Sequence, residues 1–312
     1  MKKVLASVLV LALVLGVCGM AFAGVKTKIG LITMDQMDVH WVRLRNAAQA
    51  RVDALNAEGN EITMVWLAPE TKDNQQQIEK IQNAVADGVN YIIIACNDGT
   101  SANRALQEAL DAGIKIIYVD APATLKASAT FATDNFAGGK QIGEYLAKLF
   151  AEKGVTEGTI GIVDAQAGVQ SCQDRYDGFA SVFKDTKFVM GERQYSDGDN
   201  SKAQELANTL INNGVVAIYG TNDGATNGAA AAVKDAINNG MNIYCVGWDK
   251  SDSNIAHVES GELLAFAAQN PNIMGEMAIN AVVDLENGKD LAGAVVDTGV
   301  GTVTKENVAQ YK

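Results

Sequence analysis

The chain has 312 residues, of which 48% are hydrophobic and 20% are charged, with 30 glycines and only 3 prolines. This composition is typical of globular proteins and excludes collagen-like and intrinsically disordered chains. The formal charge of −12 at pH 7 disfavours nucleic acid as a partner, because a polyanion binds basic surfaces.

The first 23 residues have the pattern of a signal peptide. Two lysines follow the initial methionine, residues 4–17 form an apolar run, and Ala21-Phe22-Ala23 is a small-x-small cleavage site. We expect cleavage after Ala23, which leaves 289 residues, about two domains, with a charge of −14 because both lysines are removed. The apolar run is short of the roughly 20 residues that a membrane-spanning helix needs. Lipid anchoring at Cys18 is disfavoured, because Val17 stands where a small residue is expected.

After the signal peptide, short apolar runs alternate with stretches of helical period. The first run, Ile29 to Ile32, precedes an amphipathic stretch from Trp41 to Leu55 with apolar residues spaced by three and four. Further strands are predicted at 62–67, 91–95, 114–119, 160–163, 215–219 and 243–246, each followed by a helix-like stretch. Repeated β-then-α units predict parallel sheets covered by helices on both faces. There are too many units for one compact sheet, so we expect two.

Cysteine and histidine are too sparse for a metal site. Cys96, Cys172 and Cys245 remain after signal cleavage, and they show neither CxxC nor Cys/His spacing. They are interpreted as three separate buried small residues, with one disulfide plus a free thiol as the alternative. The two histidines, at 40 and 257, cannot form an HExxH helix.

A weak internal repeat relates the two halves of the chain. Asn97-Asp98-Gly99 follows a strand and leads through a helix to a second strand that ends at Asp120; Asn222-Asp223-Gly224 leads in the same way to Asp249. Loops at the carboxyl ends of parallel strands line ligand crevices, so both sets are expected at equivalent rims. We interpret Asp98 and Asp223 as turn and helix-cap residues and assign Asp120 and Asp249 to ligand binding.

Over nearly the whole mature chain the sequence resembles the type I periplasmic sugar-binding proteins of ABC transporters, the ribose- and galactose-binding group. The motifs that carry the resemblance occur in the family's order: Asp38-Val39-His40-Trp41, Tyr118-Val119-Asp120, Ala132-Thr133-Asp134-Asn135, Arg175-Tyr176-Asp177-Gly178-Phe179, Thr221-Asn222-Asp223-Gly224, Val246-Gly247-Trp248-Asp249 and Ala268-Gln269-Asn270-Pro271. The resemblance implies an α/β fold of two Rossmann-like domains with parallel sheets, joined by a three-segment hinge near Thr133, Gln269 and Asp297. The N-terminal lobe would comprise residues 24–133 with 270–297, and the C-terminal lobe residues 134–269 with 298–312.

The same resemblance implies the residues of the binding site. Asp120, Arg175, Asn222, Asp249 and Gln269 would bond sugar hydroxyls, and His40, Trp41 and Trp248 would flank the ring. Asp38 lies where galactose binders carry an aspartate, and Tyr195 is a further candidate wall. Independently of the family, carboxylates, amides and a guanidinium are the groups that satisfy sugar hydroxyls, and flat aromatic rings cover C–H faces.

Two positions depart from the family pattern. His40 stands where ribose and galactose binders carry phenylalanine, and it can both stack and hydrogen bond. Ala121 replaces the arginine that follows the corresponding aspartate in ribose binders, which disfavours ribose itself. No acidic loop resembling the calcium site of galactose binders occurs around residues 184–190, so we expect no metal and no cofactor.

The sequence therefore predicts a periplasmic, non-enzymatic receptor that closes around a sugar or related polyol and delivers it to an ABC permease. We expect a monomer, with a chemoreceptor as a possible second partner. The alternative ligands are a nucleoside or a signalling furanose. A repressor of the lac family would need an N-terminal helix-turn-helix, which the export signal replaces. A glycoside hydrolase would use Asp120 with Asp249 as paired carboxylates.

Overall fold

The computed structural model describes residues 24–312, so the predicted signal peptide, its cleavage after Ala23 and Cys18 lie outside the described residues. The strands are β1 (Lys26–Ile32), β2 (Glu61–Trp66), β3 (Tyr91–Ile94), β4 (Lys115–Val119), β5 (Ala129–Ala132), β6 (Gly158–Asp164), β7 (Phe188–Tyr195), β8 (Ala217–Gly220), β9 (Tyr244–Trp248), β10 (Ala265–Gln269), β11 (Ala294–Asp297) and β12 (Val300–Thr304). The helices are α1 (Val39–Ala57), α2 (Asn74–Ala86), α3 (Asn103–Asp111), α4 (Asn135–Lys153), α5 (Gln170–Phe183), α6 (Asn200–Asn212), α7 (Asp223–Asn238), α8 (Asp252–Ser260) and α9 (Pro271–Glu286), with a 3₁₀ turn at Val308–Tyr311. Within residues 24–312, every helix is too short or too polar to cross a bilayer.

The strands form two six-stranded sheets, which confirms the predicted pair of parallel α/β units. The first sheet has the order β11-β5-β4-β3-β1-β2, with every neighbouring pair parallel. The second has the order β12-β10-β9-β8-β6-β7 and is parallel except that β12 runs antiparallel to β10. In each sheet the strand order reverses beside the first strand, which is where open α/β sheets bind ligands.

The chain passes between the sheets three times: between β5 and α4, between β10 and α9, and between β11 and β12. A hydrogen bond links the first of these passages to the third: the carboxylate of Asp297 accepts from the backbone amide of Asp134 at 3.0 Å. Helix α9 returns to pack against α1 of the first half, where Gly275 lies against the backbone of Leu44. We propose that the lobes divide at these passages, as 24–133 with 270–297 and 134–269 with 298–312.

Helix α1 illustrates how the sequence specifies its elements. Asp38 caps the helix by accepting a hydrogen bond from the amide of His40 at 2.9 Å, an arrangement that contributes about 1 kcal/mol. The predicted apolar stripe faces the sheet, with Trp41, Leu44 and Leu55 among its buried residues. The carboxyl end of β1 and the start of α1 are thereby held at one edge of the first sheet.

The three cysteines are buried, separate and unpaired in the structure. Cys96 packs with the cluster between the first sheet and helices α2 and α3, and Cys245 with the cluster around α7. Burial raises the pKa of the Cys96 thiol to about 12. The interpretation as three small core residues agrees with this placement, and the disulfide alternative does not.

Candidate ligand-binding cleft

A deep cleft opens between the two sheets, at the carboxyl ends of their parallel strands. Its volume is about 2140 Å³, well above the 300–1,000 Å³ or so of a small-molecule pocket. Residues from both halves line it, from the start of α1 on one side to the loop after β9 on the other. The two walls therefore stand apart and enclose more space than a monosaccharide fills.

On the first wall, Asp120 forms an ion pair with His40. The imidazole Nε2 lies 2.9 Å from the Asp120 carboxylate, and both side chains are largely buried. Burial would lower the pKa of His40, but the interaction with the Asp120 carboxylate outweighs it and raises the pKa above its usual 6.5. Burial opposes ionisation of Asp120 as well, yet the same pairing holds the pKa of Asp120 below its usual value. Both shifts favour the charged forms of the pair.

On the second wall, Asp249 lies between an amide and a guanidinium. Gln269 donates from Nε2 to one carboxylate oxygen of Asp249 at 2.7 Å, and Arg175 Nη1 lies 3.5 Å from the other. The second amide atom of Gln269, Oε1, is buried with no hydrogen-bond partner among residues 24–312. Asp249 thus has its charge balanced, while Gln269 keeps one acceptor atom free within the described chain.

Arg175 is held rigidly by contacts on several sides. Its Nε donates to Asn135 at 2.8 Å, and its Nη1 donates to the Thr221 carbonyl at 2.9 Å. The guanidinium lies over the indole of Trp248, 4.1 Å from the ring centroid, a cation–π contact of about 1–2 kcal/mol when desolvated. A planar donor fork fixed in this way is suited to bond paired oxygens.

Trp248 does not flank the cleft as the sequence predicted. It is fully buried behind Arg175, its indole Nε1 donates to Tyr219 Oη at 2.6 Å, and its ring packs against Gly138. Because β9 is buried on both faces, the side chain that ends the strand points into the core rather than to the rim. Trp248 therefore contacts Arg175 from behind and is not among the residues that line the cleft. Tyr195, the other candidate wall, also lies outside the cleft lining.

Trp41 lies in the wall as expected. It is 3% exposed, its ring meets that of His40 edge-on with centroids 4.6 Å apart, and its Nε1 has no hydrogen-bond partner within the described chain. With His40 and Tyr118 it supplies all the aromatic surface among the lining residues, so this surface belongs to one wall only.

Asp38 and Asn222 line the cleft, but each also caps a helix. One oxygen of Asp38 accepts from the His40 amide, and the other lies 3.4 Å from Lys72 Nζ. The Asn222 side-chain oxygen accepts from the Ala225 amide at 2.9 Å. The structure therefore brings together eight of the nine predicted site residues, namely Asp38, His40, Trp41, Asp120, Arg175, Asn222, Asp249 and Gln269.

The sequence analysis missed three polar residues of the wall. Asn97, Tyr118 and Thr133 line the cleft, and their side-chain polar atoms are buried without a partner in the part of the chain described. Asn97 was detectable, because it occupies in the first half the position that Asn222 occupies in the second.

Asp223 adds a buried carboxylate near the second wall. It accepts from Ser251 Oγ at 2.6 Å and from Asn254 Nδ2 at 2.8 Å. Burial, reinforced by the neighbouring charges of Asp249 and Asp38, raises the pKa of Asp223 to about 6. The helix-cap role that the sequence suggested for Asp223 is wrong, because Asn222 caps α7 and Asp223 is its first residue.

Three comparisons with known proteins relate this chain to binding proteins. Residues 29–290 match the family model described as a periplasmic binding protein domain. The chain is 26% identical over 282 residues to the ribose import binding protein of Haemophilus influenzae, covering 89% of this chain and 91% of that one. It is 30% identical over 242 residues to the galactofuranose-binding protein of Escherichia coli, covering 73% and 74%. A sugar ABC transporter sugar-binding protein from Bacillus halodurans has the same fold, with a TM-score of 0.82, 22% identity and coverage of 92% and 100%.

Proposed function

Since this chain belongs to the family of periplasmic binding proteins, we propose that it is an exported receptor that captures a sugar or related polyol in the cleft and delivers it to an ABC transporter permease. One observation carries the proposal more than any other. Buried polar atoms without partners converge on the cleft, although such atoms are rare in folded proteins.

The unpartnered atoms include Trp41 Nε1, the Asn97 amide, the Tyr118 hydroxyl, the Thr133 hydroxyl and Gln269 Oε1, together with His40 Nε2, whose contact with Asp120 is an ion pair. A buried polar group without a partner costs about 1–3 kcal/mol. The set mixes donors with acceptors, and a hydroxyl group both donates and accepts. A ligand with several hydroxyls would satisfy the set, whereas an inorganic ion would satisfy only donors or only acceptors.

The charges of the walls favour an uncharged ligand. Asp120 is neutralised by His40 and Asp249 by Arg175, so the ligand need bring no charge of its own. Relatives named for ribose import and for galactofuranose binding fit the same class of ligand. Because each wall contributes bonds, a ligand would stabilise the closed arrangement of the lobes over the open one.

A binding role fits the carboxylates better than hydrolysis does. A glycosidase needs one carboxylic acid whose pKa is raised so that it donates a proton. The His40 pair lowers the pKa of Asp120, so Asp120 does not fit that role. Asp223, whose pKa is raised to about 6, is occupied by hydrogen bonds from Ser251 and Asn254. We therefore propose that the protein has no enzymatic activity; turnover of aryl glycosides, lost in Asp120→Asn, would contradict this.

The test is a titration of intrinsic fluorescence with D-ribose, D-allose, D-galactose, myo-inositol and glycerol. Trp41 lies in the wall and Trp66 lies outside the lining, so Trp41→Phe should abolish most of a ligand-induced change and Trp66→Phe should preserve it. Thermal unfolding with each compound provides a second readout. A protein that shows neither a fluorescence change nor a thermal shift with any of these compounds is not a receptor for this class.

A furanose is the second candidate ligand. The aromatic surface lies on one wall only, so a ring is covered on one face and bonded by polar groups on the other. One relative is also named a galactofuranose-binding protein. Competition between methyl galactofuranoside, methyl galactopyranoside and adenosine would separate furanose, pyranose and nucleoside ligands.

We also propose that the mature protein starts at Gly24, is located in the periplasm as a monomer, and needs no metal or cofactor. N-terminal sequencing of the exported protein, light scattering, and a titration in EDTA test these three points. The permease is the proposed partner, because sugar uptake requires a membrane transporter. A chemoreceptor is a second possible partner, and a chemotaxis assay of a deletion strain tests it.

A further inference from the structure

The two walls carry matching carboxylates that are neutralised by different cations. Asp120 and Asp249 both follow a buried strand, both have left-handed backbone angles, φ 59° and 69°, and both donate their amide to the next strand, at Phe131 and Ala267. Their partners differ in chemistry. Arg175, beside Asp249, is charged at any pH, whereas His40, beside Asp120, changes its charge near neutrality.

The position of His40 is defined by geometry on two sides. Its Nε2 is 2.9 Å from Asp120, and its ring meets Trp41 at an interplanar angle of 86°. The residue after Asp120 is Ala121, which brings no charge. Within residues 24–312, His40 is the one cation within 4 Å of the Asp120 carboxylate.

The charge of Asp120 is balanced at close range only when His40 is protonated. Three carboxylates interact with it, those of Asp120, Asp249 and Asp38. The cations that face the same group are Lys72, 3.4 Å from Asp38, and Arg175, 3.5 Å from Asp249. Lys72 also lies 3.9 Å from Asp35, so its charge is shared, and a neutral imidazole leaves the Asp120 carboxylate without a cation within 4 Å in the described chain.

An unbalanced carboxylate opposes binding of a neutral ligand. Closure around the ligand removes water from the walls, and a buried charge without a partner costs several kcal/mol. A neutral ligand brings nothing to offset that cost. Asp223 is a further carboxylate of this group, because it interacts with Asp249 and Asp38.

We propose that His40 determines the charge of the ligand that the cleft accepts. In its protonated form His40 neutralises Asp120 and fits the cleft to an uncharged polyhydroxylated ligand. Deprotonation of His40 weakens the binding of that ligand. This inference rests on the proposed function. Above the pKa of His40, affinity should fall about tenfold for each pH unit.

The ion pair is testable without any ligand, because the chain has only two histidines. Proton NMR of the imidazole Hε1 atoms gives two titrating signals, which His257→Gln assigns. The titration of His40 should give a pKa above 6.5, and this pKa should be lower in Asp120→Asn. His257, whose pKa is lowered by burial, should titrate below 6.5 in both proteins. A His40 signal that titrates at or below 6.5, or that Asp120→Asn leaves in place, overturns the inference.

The effect on binding is tested by titrating D-ribose, D-allose and D-galactose between pH 6 and pH 9. Wild type should lose affinity at high pH, His40→Arg should keep it, and His40→Gln should bind weakly throughout. His257→Gln is the matched control and should follow wild type. Circular dichroism of each variant confirms folding. Sugar binding with the same affinity at every pH overturns this inference alone, whereas no binding of these sugars at any pH overturns the proposed function with it.

Discussion

Asp223 at the start of α7 should destabilise the protein at neutral pH, and Asp223→Asn should relieve that effect. The carboxylate keeps its hydrogen bonds from Ser251 and Asn254, yet burial beside Asp249 and Asp38 raises its pKa from 3.8 to about 6. A pKa that is raised on folding gives stability that is fully present below about pH 3.8 and is lost as the pH rises through 6. Ionised Asp223 is therefore unfavourable above pH 6.

The size of the effect follows from three contributions. A rise from 3.8 to about 6 corresponds to about 3 kcal/mol at high pH. Partial solvent exposure of Asp223 reduces this value. Loss of a negative charge in the first turn of α7 costs Asp223→Asn about 0.5–1 kcal/mol. The amide can still accept from Ser251 and Asn254, so we expect a net gain of about 1 kcal/mol at pH 7.5 and a small loss at pH 4.

The assay is urea unfolding of wild type and Asp223→Asn at intervals between pH 4 and pH 8. The difference in unfolding free energy should change sign in favour of the variant as the pH passes 6. Asp252→Asn is the matched control, since Asp252 is an exposed first-turn carboxylate of α8, and its effect should stay nearly constant with pH. A difference between wild type and Asp223→Asn that is flat across this range would refute the reasoning.

Two further predictions concern Arg175. Gly139→Ala should destabilise the protein by about 1–3 kcal/mol and weaken ligand binding, because a Cβ there would lie 2.0 Å from the Arg175 carbonyl oxygen and would displace α5. The control is Gly88→Ala, at a glycine that has open space around it but a positive φ. This variant should change stability and leave ligand binding unchanged. Arg175→Lys should weaken sugar binding about 100-fold, since a lysine cannot donate to Asn135 and to the Thr221 carbonyl at the same time. Calorimetry of both proteins with the same sugar measures this difference. Equal affinities would contradict the positioning of Arg175.

Much of the fold follows from sequence pattern, and the exceptions have physical reasons. The β-then-α alternation identified β1, β2, β3, β4, β6, β8 and β9. Strands β5 and β10 were not predicted, because they are short and rich in alanine, with the sequences ATFA and AFAAQ. Neither sequence contains the run of β-branched residues that is typical of a strand. The edge strands β7, β11 and β12 were also missed, because they are largely unburied and lack the continuous apolar run of a central strand.

The site divides along similar lines. Asp120 and Asp249 were found because strand-end carboxylates repeat in the two halves of the chain, and the structure gives them matching left-handed backbones. The environment of Trp248 was not predictable, because both faces of a parallel strand are buried and alternation does not distinguish core from rim. Asn97 received no role from the sequence, although it matches Asn222 in the repeat, and only the assembled wall reveals that its amide lacks a partner within the described chain.

The central claim is that the two walls close on one uncharged, hydroxyl-rich molecule. A crystal structure of the exported protein, grown from material purified without denaturation and soaked in the sugar that binds it best, tests this most directly. The account predicts closed lobes with the sugar bonded to Asp120, Arg175 and Asp249 and with Trp41 against its ring. A sugar bound elsewhere, with those three side chains bonded only to their present partners, would contradict it.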